Sequence, residues 1–335
     1  MSAPPGALWI LVAFATGVLV TRAVRAFARA RGIVNHPNPI VPQHRQPIAY
    51  LGGLAIGITM AAVAAGARLG PASTPGLAPL RIAVPAALFL LLGTADDLRP
   101  LTAARKLLAQ GLAAAVAVAM GLVWRLTGVA ALDAAASLVW ILVVVNAFNV
   151  TDVCDGLVAG LAIIALVFVG ARGSETALPW VTTGACLGFL VFNRPPASIF
   201  LGDGGSHLLG FLVAATLIPS ERAAGSAAAP AAWKDVAAAV LATGVTLFEV
   251  VLLVHARVRQ GIPWWSGSPD HFSLRLQARG LTRLQTDALA WSAAASLCAI
   301  ALLLPRLSDR LALAVLAATI VTMVPAWRAL QRREA

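Results

Sequence analysis

The 335 residues are 59% hydrophobic and only 12% charged, with 25 Lys and Arg against 14 Asp and Glu for a formal charge of +11. Soluble globular domains carry about a quarter charged residues, so this balance excludes a disordered chain, a nucleic-acid-binding arm and an ordinary cytosolic enzyme. It points to an integral membrane protein whose basic excess needs a membrane explanation.

A helix needs about 20 apolar residues to cross a bilayer core. In chain order, the candidate runs are residues 7–20, 48–67, 80–94, 107–124, 134–148, 157–171, 178–192, 205–219, 236–255, 288–304 and 311–327. The expected fold is all-α: a polytopic membrane helix bundle of about 10–11 transmembrane helices, with the third, fifth and sixth runs the weakest. Residues 1–335 are expected to form a single membrane-embedded domain, because the longest polar stretch, 256–287, is too short for a separate soluble one. The basic residues nearest the N-terminus follow the first apolar run. A cleaved signal peptide has the opposite order, so this run reads as a first span with its N-terminus outside. Cys154, Cys186 and Cys298 are scattered with no Cys-x2-Cys pair, which argues against a disulfide framework or a zinc site.

Charge sets the topology. With the N-terminus outside, eight basic residues (Arg68, Arg81, Arg125, Arg172, Arg222, Lys234, Arg306 and Arg310) fall in outer loops, and the other 17 of the 25 fall on the inner side. Lys and Arg concentrate on the cytoplasmic side of membrane proteins, so the expected orientation is N-out, C-in. Asp96, Asp97, Asp152, Asp155, Asp203, Asp270 and Asp287 lie in inner loops, as do or nearly do His36, His44, His207, His255 and His271. The chemistry is therefore expected on the inner face.

Four polar clusters stand there. The adjacent carboxylates Asp96 and Asp97, followed by Lys106 and Gln110, are costly beside a membrane without a cation or proton. They read as Mg²⁺ ligands, as a general base, or as an acidic loop that merely ends a helix. Asn146, Asn149 and Asp152 recur every three residues, with Asp155 three further on, and helical or 3₁₀ geometry puts them on one stripe. Such a stripe offers metal ligands and hydrogen-bond partners for a nucleobase. In Phe200-Leu201-Gly202-Asp203-Gly204-Gly205-Ser206-His207, glycines bracket an acid at the opening of a helix, where a phosphate or metal approaches closely. Phe200 is placed to stack on a base, and the bland reading is a plain interhelix turn. Finally, Ser268-Pro269-Asp270-His271 follows Glu249, Arg257 and Arg259; the arginines read as a phosphate clamp or as contacts to anionic headgroups.

The order Asp-Asp-x3-Leu with Lys-x3-Gln, then Asn-x2-Asn-x2-Asp-x2-Asp-Gly-Leu, then Phe-x-Gly-Asp-x-Gly-Ser, then Ser-Pro-x-His, resembles the polyprenyl-phosphate N-acetylhexosamine-1-phosphate transferases. That superfamily includes the phospho-MurNAc-pentapeptide translocase and the UDP-GlcNAc:undecaprenyl-phosphate GlcNAc-1-phosphate transferases. The segment His44-Arg45-Gln46-Pro47-Ile48-Ala49-Tyr50-Leu51-Gly52-Gly53 is similar to the family's N-terminal Pro…Gly-Gly signature. The resemblance implies transfer of a sugar 1-phosphate, GlcNAc-1-phosphate or a related amino sugar, from a UDP-sugar to polyprenyl (undecaprenyl) phosphate with release of UMP. It implies Mg²⁺ (or Mn²⁺) as cofactor, with Asp203, Asn149 and Asp152 as its ligands. Asp96 would deprotonate or orient the lipid phosphate beside Asp97, and Asp203 completes the catalytic set. Asn146, Asn149 and Asp152 would line the nucleotide-diphosphate site, Asp155 would bond uracil and Phe200 would stack on it. Lys106, Arg257 and His271 would complement phosphate charge. The implied setting is a bacterial cytoplasmic membrane with the active site on its cytoplasmic face; the partners are these substrates and membrane lipid, without nucleic acid, and a homodimer is compatible.

Three positions depart from the family pattern. The His-x-His-His loop reads His271-Phe272-Ser273-Leu274, Glu249 stands for an Asp, and Asp-Gly-x-Asp-Gly reads Asp152-Val153-Cys154-Asp155-Gly156. The broken histidine loop weakens the peptidoglycan translocase assignment and leaves open a catalytically weakened relative that serves as a lipid- or partner-binding scaffold. A polytopic transporter would instead place ionisable residues near span midpoints; here they gather at span ends.

Overall fold

The computed structural model describes residues 6–37, 46–68, 79–174, 176–219 and 233–331. Arg45, Arg222, Arg332 and Arg333 of the charge pattern, and His44 of the N-terminal signature, lie outside the described residues. In chain order the elements are α1 (Gly6–Ala30), β1 (Val34–Asn35), β2 (Ile48–Ala49), α2 (Gly52–Arg68), α3 (Leu80–Leu98), α4 (Ala103–Ala119) and α5 (Ala130–Thr151). They continue with α6 (Leu157–Ala171), α7 (Leu178–Asn193), α8 (Gly202–Leu217), α9 (Trp233–Ala242), α10 (Gly244–Arg259), α11 (Phe272–Ala278), α12 (Arg283–Leu303) and α13 (Asp309–Gln331).

Each expected apolar run holds a helix, but not over its whole length: residues 48–51 precede α2 and include β2, residues 120–124 lie beyond α4, residues 218–219 lie beyond α8, and one run is broken in two. The run 236–255 is not one continuous span: it divides into α9 and α10, bent by 73°. The break falls at Thr243-Gly244. Thr243 Oγ1 donates back to the Ala239 and Val240 carbonyls, and a following glycine adds backbone freedom, so the pair is a physical cause for the kink. Among the described residues four helices (α1, α5, α12 with its 3₁₀ extension, and α13) are long and apolar enough to cross a membrane, or five when the bent pair is counted as one span; α2, α6 and α7 are shorter apolar helices. The chain is a helical, multi-pass membrane protein.

Helix α8 forms the centre. Apart from Asp203 and Thr216 its residues are all buried, as expected of a helix that is apolar on every face. It is surrounded by α2, α3, α5 and α6, while α1 packs on α7 and α12 on α6 and α9. Two glycines set how closely its neighbours approach. A Cβ on Gly53 of α2 would run into the Gly204–Gly205 backbone, and one on Gly93 of α3 would run into the Asp203 carbonyl. Both helices therefore touch the first turn of α8 backbone to backbone. The short β1–β2 pair (Val34↔Ala49, Asn35↔Ile48) continues through a bridge from Ala49 to Ile199. Phe200 N donates to Ala49 O at 2.8 Å, and Gly52 N and Gly53 N donate to the Phe200 and Leu201 carbonyls. The turn before α8 is thus stitched to the start of α2.

Candidate active site

Helix α3 stops at Leu98, before Arg99-Pro100, because the residue ahead of a proline is pushed out of helical conformation. That leaves Asp96 and Asp97 in its last turn, against the start of α8. Asp97 caps α8 with both oxygens: Oδ1 accepts from Asp203 N at 2.7 Å and Oδ2 from Gly204 N at 3.1 Å. A carboxylate there meets orphan donors and the positive end of the helix dipole together. Gly202, at φ 75°, leaves room for it, since a Cβ at that position would collide with the Asp97 carboxylate. Asp96 Oδ1 accepts from Leu101 N at 2.6 Å, which ties down the α3–α4 link.

Lys106, one turn into α4, gathers the cluster. Its Nζ lies 2.9 Å from Asp96 Oδ2 and 3.2 Å from Asn149 Oδ1, and it pairs with Asp203. Asn149 of α5 donates to Asp203 Oδ1 at 2.9 Å and to Ser206 Oγ at 3.0 Å. Four helices thus bring Asp96, Asp97, Lys106, Asn149 and Asp203 to one place, all of them anticipated from the sequence. Within the Asp96–Lys106–Asp203 ion-pair group Asp203 is the most open, with 26% of its side chain exposed against 19% for Lys106 and 9% for Asp96. Among the described residues no three His, Cys, Asp or Glu side chains converge as a ready metal cage.

Beside the cluster lies a cavity of about 150 Å³, lined by Tyr50, Asp152, Asp155, Phe200, Gln277 and Arg283 among others. Tyr50 and Phe200 meet edge to face, with centroids 6.5 Å apart and planes at 73°. Asp152 is the residue that ends α5. Its burial, then the carboxylates of Asp203, Asp97 and Asp155, push its carboxyl well above the ordinary range. Burial and the charges of Asp97, Asp203 and Asp152 likewise raise the Tyr50 phenol, which stays a neutral donor. The cavity therefore offers aromatic faces, hydrogen-bonding groups and a carboxylate disposed to hold a proton or cation.

Not every anticipated residue faces this space. The stripe through Asn146, Asn149, Asp152 and Asp155 breaks where α5 ends at Thr151. Asn146 turns away: its Nδ2 donates to Gln110 Oε1 at 2.9 Å and to Leu142 O at 2.8 Å. Asp155 lines the cavity, yet its Oδ2 is held by Arg283 Nη1 at 2.6 Å and Ala197 N at 3.1 Å. Arg257 and His271 are buried in another network. Arg257 donates to Ser268 Oγ (3.2 Å) and Trp264 O (2.7 Å), and His271 Nδ1 lies 2.7 Å from Glu249 Oε1, whose other oxygen accepts from Phe272 N at 3.1 Å. These bonds fasten the loop between α10 and α11 to α10.

The fold also recruits residues beyond the four motif clusters' assigned roles. Tyr50 had a signal, being the one tyrosine of the chain and sitting within the N-terminal signature. His207 and Gln110 closed two motifs without being assigned a role. Arg283 and Gln277 had none, because only the return of α11 and α12 brings them to the cavity.

The sequence profile described as Glycosyl transferase family 4 matches residues 80–221, from α3 through α8. The decaprenyl-phosphate N-acetylglucosaminephosphotransferase of Mycobacterium tuberculosis is 31% identical over 301 residues, covering 80% of this chain and 73% of that protein. Its counterpart in Mycolicibacterium smegmatis is 32% identical over 239 residues, 62% of this chain; the chain spans just over half that relative's length, 56%. The phospho-N-acetylmuramoyl-pentapeptide-transferase of Clostridioides difficile is 46% identical, but over 82 residues, 22% of this chain and 26% of its own.

Proposed function

This chain belongs to glycosyl transferase family 4, and from that membership we propose that it transfers N-acetylglucosamine 1-phosphate from UDP-N-acetylglucosamine to a polyprenyl phosphate and releases UMP. The observation that carries the reading is the junction of two features. The Asp96–Asp97–Lys106–Asn149–Asp203 cluster adjoins a cavity walled by Tyr50 and Phe200, so charge for phosphates stands next to aromatic surface for a base.

The chemistry asks for little covalent help from the protein. A phosphate oxygen of the lipid attacks the β-phosphorus of the donor, and the bond from that phosphorus to the UMP oxygen breaks. Both partners are anionic, so positioning and charge neutralisation set the rate. The oxygen donors Asp203, Asn149 and Asp152 suit Mg²⁺ (or Mn²⁺), which binds through one or two carboxylates and takes its other positions from substrate phosphates and water. Bound there, such an ion would neutralise diphosphate charge and polarise the phosphorus. Lys106 supplies a fixed positive charge at the same point. Asp96, held by Leu101 N, orients the attacking phosphate or takes its proton. Phe200 and Tyr50 sandwich or edge the uracil, and Asp152 with the free edge of Asp155 offers it hydrogen bonds.

The setting proposed with this activity is a bacterial cytoplasmic membrane. The chain forms one membrane-embedded unit of ten or eleven crossings, N-out and C-in, with the cluster on the cytoplasmic face and cell-envelope glycan synthesis downstream. The test is direct: purified protein given undecaprenyl phosphate, Mg²⁺ and a panel of UDP-sugars should release UMP, most readily with UDP-N-acetylglucosamine. No UMP from any donor, beside an active relative as control, would overturn the enzyme and favour a binding scaffold.

A further inference from the structure

The hydrogen bonds behind Asp203 form one chain across three helices. His207, one turn beyond Asp203 on α8, has Nδ1 2.5 Å from the Asp203 main-chain oxygen. Its Nε2 is 2.6 Å from Gln110 Nε2 on α4. Gln110 Oε1 accepts from Asn146 Nδ2 on α5, and that same Nδ2 donates to the Leu142 carbonyl. His207 and Gln110 are fully buried.

Both ends of this chain are main-chain carbonyls, which only accept. At the Leu142 end Asn146 must therefore present its NH₂, whose second N–H goes to Gln110 Oε1. That turns the Gln110 NH₂ toward His207, so Nε2 must accept. The ring proton then resides on Nδ1 and is donated to Asp203 O. No other arrangement gives every contact one donor and one acceptor.

The spacing of the motifs acquires a reason. On α4, Lys106 pairs with the Asp203 side chain, and Gln110, one turn on, reaches the relay. On α5, Asn149 binds the Asp203 side chain, and Asn146, one turn back, ends the relay. Each helix thus grips Asp203 twice, once at its carboxylate and once, through His207, at its main chain. A buried polar chain is costlier to build than an apolar contact unless its groups are paired; here every contact pairs one donor with one acceptor.

We propose that His207, fixed as the Nδ1–H tautomer by Gln110 and Asn146, is a positioning residue that sets the Asp203 turn for catalysis; the catalytic half of this proposal rests on the transferase reading. Two measurements on the full-length protein test it. The first is ring ¹⁵N NMR of histidine-labelled protein, with the His207 signals identified by their loss in His207→Leu. A protonated Nδ1 and bare Nε2 are expected, and an Nε2–H ring overturns the relay. The second is kinetics: His207→Leu and Gln110→Leu should each lower kcat about 10- to 100-fold, the scale seen for groups that orient a ligating side chain, with KM for the UDP-sugar little changed. The double variant should be no worse than the poorer single one. Wild-type turnover in His207→Leu, or losses that multiply, overturn the positioning role. If His207→Leu does not fold, His207→Asn, which keeps a donor near the Nδ1 position but not the link to Gln110, takes its place in both measurements. Protein that releases no UMP rejects the transferase reading, whereas the tautomer decides the relay whether or not UMP appears.

Discussion

Asp203 is the residue on which most of the site converges. Its amide is bonded to Asp97, its carboxylate to Lys106 and Asn149, and its carbonyl to His207. Removing its charge while keeping its shape should spare the fold and remove the chemistry. Asp203→Asn is expected to release UMP at about one-hundredth of the wild-type rate or less, the scale of losing one preorganised electrostatic group, with a melting temperature within a few degrees of wild type. Wild-type turnover would take Asp203 out of the metal site. At this scale the sequence was informative about residue type and less so about direction. Asp96, Asp97, Lys106, Asn149 and Asp203 meet as anticipated, since charge clusters beside a membrane have few alternatives to one another. Asn146 turns from the cavity because Gln110 of another helix takes its amide, and that pairing exists only once α4 and α5 are packed.

Among the elements, α8 explains why the cluster is rigid. Its neighbours α2 and α3 press on its first turn through Gly53 and Gly93, so the backbone carrying Asp203 has little room to shift. Gly93→Ala introduces a methyl group against the Asp203 carbonyl and should cost about 1–3 kcal/mol, as overpacking does, with a fall in activity larger than the loss of folded protein accounts for. Unchanged thermal stability and turnover would show that α3 yields easily. The apolar runs were readable because a long apolar stretch in a membrane must satisfy its own backbone as helix; each holds a helix, and the ninth holds two. The α9–α10 bend, α11 and the two-residue strands were not. Thr243-Gly244 is a weak local signal, and β1–β2 depends on backbone partners 13 and 15 residues apart and on Ile199 far along the chain.

Over the whole molecule, the outer helices present large apolar side chains such as Leu11, Leu19, Leu91, Leu108, Val139, Ile320 and Val321. On a water-facing surface such exposure would be a liability; against lipid it is the expected finish. Helix α13 carries this furthest, burying only Ala312, Thr319 and Leu330. The basic excess of the chain predicts an N-out, C-in orientation, which labelling tests. A cysteine introduced at Ser268 should stay unlabelled by an impermeant reagent in intact cells and react after permeabilised cells are denatured; rapid labelling in intact cells would invert the topology and move the site to the outer face. The central claim, that a sugar leaves its nucleotide together with a phosphate, is tested most directly with UDP-N-acetylglucosamine labelled with ³²P at the β-phosphorus. The label should pass into the organic-extractable lipid, leaving unlabelled UMP in water. Label recovered as aqueous UDP, with an unlabelled sugar on the lipid, would contradict it.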